Sequence, residues 1–173
     1  WTLNSNDAWG TLTLSDGNLT FNSSTSNAQA YGPALPSTGK WYWEVTLNSG
    51  TWGFPGVINF TGGAAAAEAT NTDNWLLKMQ NGDKKKNDSA TAYGNASQTA
   101  NDVVMIAVDM DNTSIWWGEN GTWFASGNPA TNSNAAYTDL SGTLKPVFGQ
   151  WASAAINVTH NFGASAFAHT PPT

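Results

Sequence analysis

The chain has 173 residues, enough for one domain with a substantial core, and only 10% of them are charged. Its net charge is −6 and its six Lys and Arg residues are all lysines, so a phosphate backbone is a poor partner for this chain. Ten tryptophans argue against disorder, and the absence of cysteine excludes disulfides and thiolate metal sites. We find no signal sequence and no apolar run of membrane-spanning length, and since the chain starts at Trp1 we expect a processed protein or an excised domain.

Short runs of β-branched and aromatic residues alternate with clusters of Gly, Asn, Asp and Ser, a pattern typical of many short antiparallel strands. Such spacing predicts an all-β sandwich formed by a single domain. The predicted strands, in chain order, are GTLTLS (10–15), NLTFNS (18–23), KWYWEVTL (40–47), GVINF (56–60), NWLLKM (74–79), VVMIAVDM (103–110), the hairpin SIWW-GENG-TWF (114–124), KPVFGQW (145–151) and INVTHNFG (156–163).

Local signals refine this outline. Asp16 with Gly17, and Asn120 with Gly121, predict tight hairpin turns because these residue pairs accept positive φ angles. The continuous apolar run VVMIAV predicts a central strand that is covered on both faces. The Ala-rich segment 62–71 is predicted to be a loop because of its Gly pair and its Thr and Asn flanks.

Three tryptophans lie in the segment IWWGENGTWF. Trp116 and Trp117 are adjacent on a predicted strand, so they point to opposite faces and cannot form one flat binding platform. We therefore expect at least one of them in the core. Trp123 lies across the hairpin, and we expect it to stack on one of the two as a cross-strand pair.

Several stretches, taken in order, resemble the SPRY domain, a bent sandwich of two antiparallel sheets. LSDGNLTF (14–21) and NGDKKKNDSATAYG (81–94) also resemble versions found in bacteriophage and environmental viral proteins. Asn101 stands where glycine is usual in the family pattern, a change that a β-strand accommodates. The principal matches are GKWYWEV (39–45) to G-K-x-Y-W-E-V, NDVVMIAVDMDNTSIWWGENGTW (101–123) to G-D-V-I-G-V-A-L-D-L-D…F-x-x-N-G-x-W, LKPVFG (144–149) to L-Y-P-A-V, and INVTHNFGASAFAHTPP (156–172) to V-x-x-N-F-G…F-x-Y-x-P-P.

The resemblance implies an SPRY-like (concanavalin-like) sandwich of two antiparallel sheets over residues 1–173. It also implies a non-enzymatic recognition module whose partners dock on loops at one end. It places KWYWEVTL inside the sandwich, so Trp41 and Trp43, which share one face of that strand, are expected in the core. Glu44, on the opposite face, is then a partly buried acid that needs a hydrogen-bond partner.

The candidate ligand-binding residues are Trp52, Phe54, Trp75, Gln150 and Trp151. They lie in or beside predicted loops, and the resemblance implies binding through loops in these regions. Loops that present aromatic anchors among Ser, Gly and Asn gain contact area at low entropic cost. For the three tryptophans, packing inside the domain remains the alternative to binding.

The remaining polar motifs are interpreted as structural. Asp109 and Asp111 end a strong strand, where Asp and Asn favour a turn, although a cation site is an open alternative. His160 and His169 occur in no metal-binding or catalytic motif, so we expect ordinary strand and tail residues. The run 84–86 of three lysines follows a turn signal and is predicted to be a solvated strand, with binding of an anionic surface as the alternative.

We therefore expect no catalytic residue, no metal and no cofactor. The predicted function is that of a phage or viral structural protein at the virion surface: a tail fibre, a receptor-binding tip or a capsid decoration. Its expected partner is a host-surface glycan or protein, or neighbouring virion proteins, and a homotrimer is one assembly that fits. One alternative is a carbohydrate-binding or hydrolytic lectin-like domain of a secreted bacterial protein. Another is a purely structural decoration protein.

Overall fold

The computed structural model describes residues 1–24, 27–60, 73–87, 89–94, 98–151 and 154–173. The predicted loop at 62–71 lies outside these ranges. Two short 3-10 turns, Phe124–Ser126 and Pro129–Thr131, follow the last strand of the tryptophan hairpin. The strands of the described residues are β1 (Asn4–Trp9), β2 (Thr13–Ser15), β3 (Thr20–Ser23), β4 (Ala28–Tyr31), β5 (Lys40–Ser49), β6 (Gly53–Asn59), β7 (Asn74–Leu77), β8 (Lys84–Lys86), β9 (Ser89–Thr91), β10 (Val103–Asp109), β11 (Ser114–Glu119), β12 (Thr122–Trp123), β13 (Leu144–Gln150) and β14 (Ile156–Asn161).

The strands of the described ranges form two seven-stranded sheets, which confirms the predicted all-β architecture. Sheet 1 has the order β1-β4-β13-β6-β7-β8-β9, and sheet 2 has the order β12-β11-β10-β5-β14-β3-β2. Neighbours throughout both sheets run antiparallel. Strands distant in sequence, such as β5 and β14, are neighbours, so each sheet is assembled from both halves of the chain.

The main core is built from the inward side chains of both sheets. Alternation along a strand sends every second residue to the same face, and burying one large apolar side chain contributes about 1.5–3 kcal/mol. On β10 the outward residues Met105 and Ala107 are also buried, which confirms that the strand is covered on both faces. The inward side chains of β5 and β10 are Trp43, Val45, Leu47, Val104, Ile106 and Val108.

Both predicted hairpin turns are present. Asp16 and Gly17 have φ angles of 53° and 67° between β2 and β3, and Asn120 and Gly121 have φ angles of 49° and 84° between β11 and β12. Asn, Asp and Gly tolerate this left-handed region better than other residues, so these pairs set the register of their hairpins.

Three strands were not predicted: β1, β4 and β9. Their sequences, NSNDAW, AQAY and SAT, are polar or very short and carry few β-branched residues. Such segments have little strand preference of their own. They are strands because neighbouring strands offer them backbone hydrogen-bond partners, β4 lying between β1 and β13 and β9 pairing with β8.

In the tryptophan hairpin, Trp116 and Trp117 are both fully buried and lie on opposite faces of β11. The expectation that at least one is core is confirmed. The predicted stacking of Trp123 is wrong: its Cα partner across the hairpin is Gly118, and its ring packs edge-on against Tyr42 with centroids 6.3 Å apart. The glycine offers no ring to stack on, so the indole reaches to the next strands.

The alternation predicted for β5 is confirmed. Trp43 is buried in the main core, and Trp41 is partly buried at the margin of that core, stacked on Trp1 with ring centroids 5.1 Å apart. Glu44 is buried on the opposite face of the same strand. Its partners are the backbone amides of Ala168 and His169 in residues 162–173, the closing segment.

Candidate interaction surface

The outer face of sheet 1 carries a second apolar layer, separate from the main core. Alternation along β6 sends Val57 to the main core, and sends Phe54 and Ile58 outward. Likewise β13 sends Phe148 inward and Val147 outward. The layer consists of Tyr31, Phe54, Ile58, Leu76 and Val147, which are buried, with Trp9 and Trp151 partly buried against them.

Phe54, Trp151 and Lys85 come together on this face. The ring centroids of Phe54 and Trp151 lie 3.9 Å apart, and the Lys85 Nζ lies 5.8 Å from the Trp151 centroid. The Lys85 ammonium also donates a hydrogen bond to the Asn87 carbonyl. A cation within about 6 Å of an indole face is attracted by the ring quadrupole. Because Trp151 stays partly exposed, an aromatic side chain backed by a buried ring is available at the surface.

Trp52 directly precedes β6 and leaves 41% of its surface exposed. It is two residues from Phe54, so both side chains start from the same side of the chain if the extended backbone continues through Gly53. Its binding role, like that of Phe54 and Trp151, stays a prediction.

Trp75 and Gln150 point to the interior. Trp75 is fully buried, its Nε1–H donates to Asp139 Oδ1 at 2.9 Å, and the Lys86 ammonium lies 5.2 Å from its ring centroid. For this tryptophan the packing alternative holds. Gln150 is also buried, and its Nε2 donates to the Ala154 carbonyl at 2.7 Å. This hydrogen bond links the end of β13 to the residues just before β14.

Residues 84–86 form a strand as predicted, but the prediction that this strand is solvated is wrong. Lys84, Lys85 and Lys86 form β8, which lies inside sheet 1 with β9 beyond it, and all three are partly buried. Lys84 Nζ donates to the Ala136 carbonyl at 2.7 Å and lies 4.8 Å from the Tyr137 centroid. Lysine stems cover apolar surface while their ammonium groups find polar or aromatic partners, which makes a half-buried lysine strand stable.

Asp139 holds one of these lysines in place. Its carboxylate lies 2.5 Å from Lys86 Nζ and also accepts from the Trp75 indole. Partial burial acts to raise the pKa of Asp139, but the hydrogen bonds from Lys86 and Trp75 outweigh it and hold this pKa below the usual value. The neighbouring Tyr137 has its pKa raised to about 12 by burial and by the Asp139 charge.

Sequence reasoning missed Trp9, Gln29 and Tyr31 on the same face. Tyr31 is buried, and its hydroxyl donates to Gln29 Oε1 at 2.6 Å. Burial, with a contribution from the Asp7 charge, raises the Tyr31 pKa to about 12. The aromatic residue ending AQAY was the available signal, but a segment of four residues is too short for its periodicity to be distinctive.

The paired aspartates form the predicted turn. Asp109 Oδ1 accepts from the backbone amides of Asp111 and Asn112 at 3.0 Å each, and Asp111 Oδ1 accepts from the Gly39 amide at 3.1 Å. The part of the chain that the structure describes contains no group of three or more His, Asp or Glu side chains able to hold a metal ion. Over the same residues, no helix has the length and apolarity to span a bilayer.

The geometry defines an all-β sandwich that carries a buried apolar layer on the outer face of one sheet, with Trp9 and Trp151 partly exposed at the margin of that layer. The family model of the SPRY domain matches residues 40–164, so the chain belongs to the SPRY family. The SPRY domain of human HERC1 superposes with a TM-score of 0.75 at 16% identity, covering 95% of this chain and 99% of that one. A second human SPRY domain gives a TM-score of 0.67 at 12% identity, with 90% and 97% coverage. No curated protein sequence matches the chain.

Proposed function

We propose that this domain is a non-enzymatic recognition module that binds a partner protein through the outer face of sheet 1. SPRY domains are generally protein-interaction modules, which supports the class of function. The observation that carries the location is the Trp151 indole, partly exposed, seated on Phe54 and flanked by the Lys85 ammonium.

Such an arrangement suits a binding anchor for a physical reason. Tryptophan, tyrosine and arginine are the residues that most often dominate binding energy, because they bury large area with few rotatable bonds. Here Phe54 and Lys85 restrict the Trp151 ring before any partner arrives. Less conformational entropy is then lost on association. Trp52, 41% exposed, would contribute at the margin of the same surface.

The proposed setting is a phage or viral virion, with a host-surface protein or a neighbouring virion protein as the partner. This setting rests on the sequence interpretation alone: segments 14–21 and 81–94 resemble viral members of the family, and the loops are rich in Ser, Asn, Thr and Gly. The proposal places the domain at the virion surface and assigns it no catalytic residue.

The test compares immobilised wild-type domain with Trp151→Ala and with Trp1→Ala. Trp1 is the matched control, because it is an exposed tryptophan, 45% accessible, that packs on Trp41 of the other sheet. Proteins retained from virions and from host envelopes are ranked by quantitative mass spectrometry, and the retained protein is purified for calorimetry. We expect Trp151→Ala to weaken the purified pair by about 30-fold, on the order of 2 kcal/mol.

Retention that survives Trp151→Ala but disappears with Trp1→Ala would place binding elsewhere and refute the proposed surface. A glycan array run with the same three proteins separates protein from sugar recognition. Saturable binding to one glycan that depends on Trp151, with no protein retained, would replace the protein partner by a carbohydrate.

A further inference from the structure

A small cavity lies on the outer face of sheet 2, on the other side of the sandwich from the proposed interaction surface. Its floor is fixed by strand register: Tyr42, Ala107 and Trp116 are consecutive Cα partners across β5, β10 and β11. Directly opposed residues share a face with their Cβ atoms about 5 Å apart. The small Ala107 side chain between two large aromatic ones therefore lowers the sheet surface at this point, and overlying residues leave Ala107 3% exposed and Trp116 fully buried.

Two segments close the cavity from above. Pro129 begins a 3-10 turn whose geometry is set by the Asn128 side chain, which accepts from the Ala130 amide at 3.1 Å. Pro171 and Pro172 come from the closing segment and also line the cavity. The result is a cavity of about 130 Å³.

The closing segment is held independently of any ligand. The Glu44 carboxylate accepts from the amides of Ala168 and His169 at 2.8 Å each, and the Phe167 ring packs edge-on against Tyr42 with centroids 4.8 Å apart. Contacts within the domain therefore hold the cavity walls in place without a ligand, as expected for a preformed ligand site.

Three polar side chains of the cavity walls already have hydrogen-bond partners within the domain: Tyr42, Asp109 and Trp116. The Trp116 Nε1–H donates to the Ser133 carbonyl at 2.8 Å, and the Tyr42 hydroxyl donates to Glu44 at 2.8 Å. Asp109, which also lines the cavity, accepts three hydrogen bonds from its own turn. A sugar would find few partners here, whereas aromatic faces and proline rings favour an apolar ring.

The charges of the lining residues also argue for an uncharged ligand. Lys40, exposed and also lining the cavity, is the Cα partner of Asp109 across β5 and β10. These two residues carry the formal charges of the cavity lining and are opposite in sign, so the lining favours a neutral ligand. In size, the cavity is close to an engineered apolar cavity of about 150 Å³ in another protein that stays dry and binds benzene.

We propose that this cavity binds one neutral aromatic ring of phenyl size, presented by a small molecule. This site is distinct from the protein-binding surface and stands or falls separately. Toluene is the probe, with methyl β-glucoside as the sugar comparison. In NMR titrations of the whole chain, toluene is expected to shift the Ala107 methyl and the Trp116 and Tyr42 ring signals saturably, and to give nuclear Overhauser contacts to the Ala107 methyl.

Ala107→Leu and the milder Ala107→Val take up space in the cavity, and either is expected to weaken toluene binding at least about tenfold. Ala90→Leu, on the exposed strand β9, is the matched control and is expected to leave binding unchanged. Shifts confined to other regions, unchanged affinity in a folded Ala107 variant, or a preference for the glucoside would overturn the proposal. If neither Ala107 variant folds, the presence or absence of contacts from toluene to the wild-type Ala107 methyl decides it.

Discussion

The Glu44 carboxylate accepts a hydrogen bond from the backbone amide of His169, 125 residues further along the chain, at 2.8 Å. The same carboxylate accepts from the Ala168 amide and the Tyr42 hydroxyl, also at 2.8 Å. One buried acid on a central strand therefore fastens the closing segment across the outer face of sheet 2. Burial together with the hydrogen bond to the Glu44 carboxylate raises the Tyr42 pKa far above its usual value.

Replacing this acid tests how much the fastening contributes. Glu44→Ala leaves two part-buried backbone amides without an acceptor, so we expect a loss of about 2–3 kcal/mol in the free energy of unfolding. Tyr42→Phe removes a single hydrogen bond and is expected to cost about 1 kcal/mol. Chemical denaturation followed by tryptophan fluorescence measures both. Equal effects of the two substitutions would show that the amides do not depend on Glu44.

The buried His160 ring is expected to make the free energy of unfolding depend on pH. The ring is fully buried between Phe148 and Phe162, and its Nδ1 lies 3.1 Å from the Leu19 carbonyl. Burial lowers the His160 pKa to about 4, against the partial opposing effect of that carbonyl.

Between pH 6.5 and 4 the unfolded chain takes up a proton at His160 that the folded chain does not. Stability is therefore full above pH 6.5 and falls as the pH drops towards 4, by at most about 3 kcal/mol from this residue. Denaturation curves at several pH values, compared with His160→Gln, isolate the effect. An identical pH slope in the variant would contradict the assignment.

A side chain added at Gly56, in the middle of β6, is expected to clash with the neighbouring strand. A Cβ added there would lie 2.1 Å from the Trp75 backbone oxygen, which belongs to the paired strand β7 and cannot rotate away. We expect Gly56→Ala to destabilise by at least about 2 kcal/mol. Gly17→Ala is the comparison: nothing lies within 4 Å of its added Cβ, but its φ of +67° predicts a cost of about 1 kcal/mol. Thermal unfolding ranks the two, and a larger effect at Gly17 would contradict the packing argument.

Asp139 is expected to make a modest, pH-dependent contribution to the free energy of unfolding. Asp139→Asn removes the charge that pairs with Lys86 and weakens the acceptor of the Trp75 indole. Because the Asp139 side chain is 54% exposed, solvent screens the pair, and we expect a loss of only about 1 kcal/mol.

The Asp139 pKa is lowered on folding, so its contribution is present above the unfolded pKa and disappears as the pH falls through the folded value. Urea titrations at neutral and acidic pH measure this. A difference between wild type and Asp139→Asn that persists undiminished in acid would show that the charge is not its source.

Strand prediction from the sequence succeeded where a strand carries its own pattern. β5, β10 and β11 alternate or run continuously apolar, and the turns at Asn120 and Asp16 carry residues that accept positive φ. β1 and β9 lack such a pattern and exist because neighbouring strands complete their hydrogen bonds. The stability of those edge strands is a property of the assembled sheet, so no local window of sequence contains it.

The candidate site was only partly predictable, because exposure depends on distant segments. Trp75 and Trp151 both sit beside loops in the sequence, yet Trp75 meets Asp139, 64 residues away, and is buried, whereas Trp151 rests on Phe54 and stays partly exposed. The lysines of β8 look solvated in the sequence and are instead drawn onto aromatic rings.

By itself the sequence determined the all-β class, the central strands, the hairpin turns and the family. The first three follow from alternation and from backbone preferences that act within a few residues, whereas the family follows from the resemblance of several motifs in order. The tertiary structure alone decided which tryptophans a partner can reach, and where small residues leave space, as Ala107 does between Tyr42 and Trp116. Both depend on which side chains distant strands place side by side, and that is settled only when the sheets pair and pack.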